Sequence, residues 1–287
     1  MSHIPWIISV TEADRLLAEE SSHAALADVR WYLDGRSGRD AYASGHLPGA
    51  AFVDLDDVLA APATAKSGRH PLPSMDTFAA GMEAAGFTES TTVIAYDDAS
   101  GASASRLVWL LRATGHRAAL LDGGLQAWTA THGEHELATG SDDVVAAPAG
   151  SFHRTPVNPE WLADMGDAVE AGRSGAPLID SRAPARYRGE TEPMDAWAGH
   201  IPGAANVFHA GNIGPEGEFL PQAAIRERFT AAGVDENTTP IVYCGCSGVT
   251  ACHNLVAMEA AGLHGRLYPG SWSQYSALTP APDTNSA

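Results

Sequence analysis

Cysteine is scarce in this chain, with three residues in 287. That excludes a small scaffold stapled by disulfides. All three, Cys244, Cys246 and Cys252, fall within one short segment. Lysine occurs once, at Lys66, so positive charge is almost entirely arginine. Seventeen basic residues against 35 acidic ones leave a formal net charge of −18. Nucleic acids and anionic membranes need broad basic surface and are excluded as partners. A small anion is not excluded, because a local nest of N–H groups can hold one inside an acidic protein. No run approaches the roughly 18 consecutive apolar residues of a membrane span. The opening Met1-Ser2-His3-Ile4-Pro5-Trp6 lacks the basic segment and long apolar run of a secretory leader. The expectation is a cytoplasmic protein of a reducing compartment.

Hydrophobic residues make up 45% of the chain, enough for a sizeable core. The sequence also repeats itself. Asp28-Val29-Arg30 answers to Asp180-Ser181-Arg182, and Gly45-His46-Leu47-Pro48-Gly49-Ala50 to Gly199-His200-Ile201-Pro202-Gly203-Ala204. Val93-Ile94-Ala95-Tyr96-Asp97 answers to Pro240-Ile241-Val242-Tyr243-Cys244, and Leu121-Asp122-Gly123-Gly124 to Tyr268-Pro269-Gly270-Ser271. Matches in the same order at nearly constant spacing imply two copies of one unit. We place the first at 1–140, a linker at 141–155, the second at 156–278 and a disordered tail at 279–287. Val10-Thr11-Glu12 reads as a helix start capped by Thr11, and Val157-Asn158-Pro159 as one capped by Asn158. Within each unit short apolar strands alternate with helical patterns. The fold class is therefore α/β: two tandem domains, each a parallel sheet flanked by helices.

The most informative stretch runs from Ile241 to Thr250. An apolar strand stops at Cys244, and a loop follows before a helix over Ala251–Ala261. Ligands of open parallel sheets bind at the carboxyl ends of strands. Backbone N–H groups and the helix dipole there favour the thiolate, the nucleophilic form of cysteine. The corresponding residue of the first copy is Asp97, so only the second copy can do thiol chemistry at this position. Cys244 continues the strand register of Tyr96-Asp97 and is the expected nucleophile; Cys246 is its rival. Cys252 reads as a buried helix residue. His46 and His200, matched between copies, read as structural hydrogen-bonding residues.

Taken together these motifs resemble the tandem-domain rhodanese family, the thiosulfate and 3-mercaptopyruvate sulfurtransferases. The resemblance rests on the two Gly-His-x-Pro-Gly-Ala segments, the strand-Cys-loop-helix and Tyr268-Pro269-Gly270-Ser271-Trp272, and spans about Ile8 to Tyr275. It implies an inactive first domain and a catalytic second one. The loop Cys244-Gly245-Cys246-Ser247-Gly248-Val249-Thr250 is similar to the mercaptopyruvate version, Cys-Gly-Ser-Gly-Val-Thr, with one residue inserted. The resemblance implies sulfur transfer from 3-mercaptopyruvate or thiosulfate through a persulfide on Cys244. The backbone of Gly245, Cys246, Gly248, Val249 and Thr250 would cradle the anion. Ser247 would relay protons with His70 and Asp56, and Arg186 would bind the donor carboxylate. The second arginine of the family falls where this chain has Met194. Arg188, as a neighbour of Arg186 on a regular strand, would point elsewhere. The acceptor would be cyanide in an assay, a small thiol or a thioredoxin-like protein, with no cofactor and no metal.

Three other readings use the same residues. Zinc at Cys244, Cys246, Cys252 and His253 lacks the second distant ligand pair. A phosphatase of related fold would close its loop with an arginine, where this chain has Thr250. A persulfide carrier or regulatory module, without turnover of a small donor, would use the same cysteine.

Overall fold

A computed structural model describes residues 4–64, 66–141, 144–245 and 248–281. Asp142 and Asp143 of the expected linker, and 282–287 of the expected tail, lie outside the described residues. The chain divides into two compact units. One comprises Met1–Ala61, Leu72–Asn158 and Asn212–Gln222; the other comprises Pro62–Pro71, Pro159–Gly211 and Ala223–Ala287. Each unit thus takes one short segment from the opposite half of the sequence.

In the first unit the strands are β1 (Ile7–Ile8), β2 (Ala24–Asp28), β3 (Ala51–Phe52), β4 (Thr92–Tyr96) and β5 (Arg117–Leu121). They pair in the order β1-β5-β4-β2-β3, all parallel. Its helices are α1 (Val10–Ala18), α2 (Gly38–Ser44), α3 (Leu55–Val58), α4 (Met75–Ala84), α5 (Ala104–Ala113) and α6 (Gly124–His132). The second sheet contains β6 (Leu178–Asp180), β7 (Ala205–Asn206), β8 (Ile241–Tyr243) and β9 (Arg266–Leu267), parallel in the order β7-β6-β8-β9. It is accompanied by α7 (Met165–Ser174), α8 (Pro184–Tyr187), α9 (Gln222–Thr230), α10 (Val249–Ala260) and α11 (Ser271–Leu278). β4 and β8 are buried at every position. This is why their sequences read as unbroken apolar runs rather than alternating ones. Leu26, Ile94, Tyr96 and Leu121 centre one core; Leu178, Ile201, Tyr243 and Trp272 centre the other. No helix among the described residues is long and apolar enough to cross a membrane.

Two expected caps fall elsewhere. α1 is capped by Ser9, whose backbone is extended and whose hydroxyl accepts from Glu12 N at 3.3 Å. Thr11 lies inside the first turn, where its own backbone is already helical and cannot serve as cap. Asn158 precedes only a 3-10 turn, Pro159–Trp161. The helix begins later, at a capping box in which Asp164 accepts from Asp167 N at 2.8 Å and Asp167 accepts from Asp164 N at 3.2 Å.

The repeated motifs are one hydrogen-bonded lock built twice. In the first unit Arg30 pairs with Asp28 at 2.7 Å and donates to Gly45 O at 2.7 Å. In the second, Arg182 pairs with Asp180 at 2.6 Å and donates to Gly199 O at 2.6 Å. Tyr96 OH accepts from Leu47 N, as Tyr243 OH accepts from Ile201 N, at 3.0 and 3.1 Å. His46 and His200 each bond a tyrosine carbonyl at 2.8 Å, Tyr42 O and Tyr187 O, and stack on that tyrosine's ring. Both histidines are thus structural. The lock ties the end of β2 or β6 to the Gly-His-x-Pro-Gly turn.

The residue that follows the strand differs in chemistry between the units, Asp97 in the first and Cys244 in the second. Asp97, after β4, is buried and accepts four backbone N–H groups: Ala99 and Gly101 on Oδ1, Ser103 and Ala104 on Oδ2, at 2.8–2.9 Å. Burial pushes this carboxyl up, against the four N–H groups that favour the anion. The loop of the first unit is therefore a filled anion cradle.

Two outcomes follow for stability. Asp180→Ala strands the buried Arg182 charge and should cost about 3–5 kcal/mol, read from urea unfolding. Asp97→Ala leaves four inward amides without their acceptor and should cost about 3 kcal/mol, with Asp97→Asn milder because one oxygen acceptor remains.

Candidate active site

Cys244 follows β8 directly, is fully buried, and carries a free thiol. Its N–H donates to Ser271 Oγ at 3.2 Å, and its carbonyl accepts from Trp272 N at 2.9 Å. The first residues of α11 therefore fix the strand end from both sides. Gly248 caps α10 in the left-handed region with φ of 85°, a conformation that costs glycine nothing. Gly101 holds the same φ of 85° four residues after Asp97, as Gly248 does four residues after Cys244. The loop has equal length in the two units up to that glycine. Val249 is buried and Thr250 half-buried at the start of α10. Cys252 is buried on the same helix. Cys246 and Ser247, the rival nucleophile and the expected relay serine, lie outside the described residues.

Around the loop runs a ladder of charges confined to the second unit. Arg182, besides Asp180, donates to Glu192 at 3.3 Å. Glu192 accepts from Arg186 at 2.6 Å, and Arg186 reaches Asp195 at 2.9 Å. Asp195 pairs with Arg69, and Arg69 Nη2 donates to Gly245 O at 2.9 Å. Burial pulls the Arg182 guanidinium down, but Asp180 above all, with Tyr243 and Glu192, holds it above the ordinary arginine range. Burial pushes the Tyr243 hydroxyl well up, and Asp180 adds to this. Both groups keep one protonation state at any physiological pH. His209 sits on Ser181 O at 3.1 Å, and burial holds it below the ordinary histidine value, hence neutral at pH 7.

The structure brings Arg186 to the residue after Cys244: a Cβ on Gly245 would lie 2.8 Å from Arg186 Nη1. Only glycine admits this approach without moving the guanidinium. His70 is half-buried beside Arg69, in the unit that contains Cys244. Asp56 belongs to the other unit, exposed on α3, where it accepts from Trp31 Nε1 at 3.0 Å. Met194 is exposed and contributes no charge. Arg188 stands at the end of α8 rather than on a strand, because Pro184 at the first turn starts a helix. It is exposed and pairs with Glu190 at 2.6 Å, away from the ladder.

Arg69, Glu192 and Asp195 carry contacts to which no motif pointed. A signal was available for the two acids. Tyr42 and Gly45 are three residues apart, whereas their counterparts Tyr187 and Gly199 are twelve apart. The extra residues carry Glu192 and Asp195, and only the copy with the cysteine has them.

Comparison with known proteins gives this geometry its family. A family model described as the rhodanese-like domain matches residues 9–131 and 158–278. A Mycobacterium tuberculosis protein assigned as thiosulfate sulfurtransferase SseB is 40% identical over 256 residues, covering 88% of this chain and 87% of its own. The human 3-mercaptopyruvate sulfurtransferase is 36% identical over 279 residues, covering 94% of this chain and 89% of its own. Among solved structures, the 3-mercaptopyruvate sulfurtransferase of Leishmania major aligns with a TM-score of 0.81 at 30% identity, over 96% of this chain and 75% of that one. SseA of Escherichia coli aligns with a TM-score of 0.77 at 30% identity, over 94% of this chain and all of that one. The chain belongs to the rhodanese family and is a sulfurtransferase built of two rhodanese-like domains.

Proposed function

We propose that this sulfurtransferase takes sulfur from a small anionic donor, 3-mercaptopyruvate ahead of thiosulfate, through a persulfide on Cys244. Asp97 supports the reading most directly. At the register position of Cys244 its carboxyl group sits in a cradle of four backbone N–H groups. The same loop length and the same left-handed glycine recur after Cys244. By that equivalence a thiolate or persulfide at Cys244 would face backbone donors near the N-terminus of α10, which favour negative charge.

In the first half-reaction the Cys244 thiolate attacks the donor sulfur and a sulfur–sulfur bond forms on the enzyme. With 3-mercaptopyruvate the carbon–sulfur bond breaks, and its electron pair leaves as the pyruvate enolate, which takes up a proton. With thiosulfate the sulfur–sulfur bond breaks and sulfite leaves with the pair. A thiolate or cyanide then attacks the outer sulfur and returns Cys244 as thiolate. Arg186 offers its outer nitrogen to the donor carboxylate, a geometry suited to an arginine fork. His70, with Ser247 and Asp56, is our candidate for moving the proton of the first step. The absence of arginine in the loop, where the guanidinium groups come from outside it, favours the carboxylate-bearing donor.

Cys244→Ser should abolish cyanide-dependent turnover with both donors, whereas Cys246→Ser should retain it; the opposite result would assign the reaction to Cys246. Arg186→Ala should raise KM for 3-mercaptopyruvate by about 10-fold or more. A thiosulfate preference untouched by that change would overturn the choice of donor.

A further inference from the structure

The turn after β6 is held by polar side chains where the first unit has apolar ones. Asn206 Nδ2 donates to Asp180 O at 3.0 Å and to Arg182 O at 2.8 Å. His209 covers the carbonyl between them: its backbone N–H donates to Ser181 O at 3.1 Å, and its Nδ1 bonds the same oxygen at 3.1 Å. Asn254, on α10, donates through Nδ2 to Ser181 Oγ at 2.9 Å and to Val207 O at 2.8 Å. His253 beside it meets the His209 ring edge-on, with 5.5 Å between centroids. Ser181 and Asn254 are fully buried.

Register gives each of these residues a counterpart. Asp180 pairs with Asn206 across β6 and β7 as Asp28 pairs with Phe52 across β2 and β3. Val207 N donates to Asp180 O as Val53 N donates to Asp28 O, so His209 answers to Leu55. Ser181 answers to Val29. Asn254, ten residues after Cys244, answers to Leu107, ten residues after Asp97. Val29, Leu55 and Leu107 are buried and apolar. Four positions thus change from apolar to polar together, and only in the unit with the thiol. The first sheet and α5 form without them, so the fold does not require them. Burying amide and hydroxyl groups costs free energy that hydrogen bonds offset only in one geometry. Apolar surfaces tolerate sliding, whereas a satisfied network of bonds specifies one arrangement.

We propose that Asn254 and His209 are positioning residues for sulfur transfer: through Ser181 they lock α10, and with it the loop that begins at Cys244, to the turn after β6. This rests on Cys244 as the nucleophile. Gly248 caps α10 four residues after Cys244, so the seat of the helix sets where its N-terminal N–H groups stand relative to the thiol. A misplacement of about 1 Å at such a site can cost about 100-fold in rate. The strand before the thiol and the helix after it are then both referred to β6: β8 by its ladder with β6, α10 by Asn254. Asp97, held by four N–H groups of its own loop, has no need of that outside reference.

The test uses the full-length enzyme with Asn254→Leu, with the pair Asn254→Leu and Ser181→Val, and with His209→Leu. Each installs the residue of the first unit. The urea midpoint is measured, with kcat and KM for 3-mercaptopyruvate and for thiosulfate. The pH dependence of alkylation by iodoacetamide is followed, and the modified cysteine is located by peptide mass spectrometry. Asn254→Leu should lower the urea midpoint, because the buried Ser181 Oγ loses its donor. The paired change should restore the midpoint, since two apolar partners leave no hydroxyl unpaired. In all three variants kcat should fall by about 10-fold or more with either donor, while KM changes by less than about 2-fold. The alkylation profile should move to higher pH as the N-terminus of α10 loses its aim at the thiolate. Return of kcat together with the urea midpoint in the paired variant would make the network structural only and overturn the proposal; so would an unshifted alkylation profile. Should Asn254→Leu not fold, the paired variant and His209→Leu decide. Alkylation at Cys246 would instead count against the nucleophile, and the network would be judged on kcat of the paired variant.

Discussion

The buried pair of Asp180 and Arg182 is the constraint on which the second unit depends. Asp180 ends β6 with its backbone carbonyl accepting from Val207 N and Asn206 Nδ2, both at 3.0 Å. Its carboxylate fixes Arg182, and the remaining N–H groups of Arg182 reach Gly199 O and Glu192. From Glu192 the chain of charge passes through Arg186 and Asp195 to Arg69, and ends on the carbonyl next to Cys244. A pair of this kind adds little net stability over apolar residues of the same shape. Its contribution is geometric: the turn after β6, the inserted acids and the cysteine loop share one rigid reference.

The first unit shows what the same architecture does without the ladder. Asp28 and Arg30 form the equivalent pair and hold Gly45, but Tyr42 lies too close to Gly45 in sequence for any inserted acid to exist there. Its loop has the same length and the same left-handed glycine, and Asp97 in place of the thiol. The Asp97-for-cysteine difference and the insertion set the two sites apart, while the lock recurs in both copies and the first sheet carries one strand more.

The duplication, the parallel sheets and the structural histidines were legible in the sequence, because they rest on local motifs and unbroken apolar runs. Cap identity was less so. Ser9 and Thr11 both suit a cap, and the choice turns on where the backbone leaves the extended region. Asn158-Pro159 looks like a helix start, yet it opens only a 3-10 turn, and the helix begins at Asp164, which exchanges reciprocal bonds with Asp167. Arg69 was illegible as a neighbour of Gly245, since the two are 176 positions apart. The resemblance points to Arg186 as the residue for a donor carboxylate, but its partners Glu192 and Asp195 lie in residues that have no counterpart in the first copy.

Asp97 has a further consequence in terms of concentration. A ligand tethered to its own site by the backbone acts at an effective concentration far above that of any solute, so its occupancy does not depend on supply. The first unit's cradle is thereby insulated from sulfite, sulfate and donor alike. For the reaction proposed above, whose donors and products are anions, this keeps the first unit's loop from competing for them.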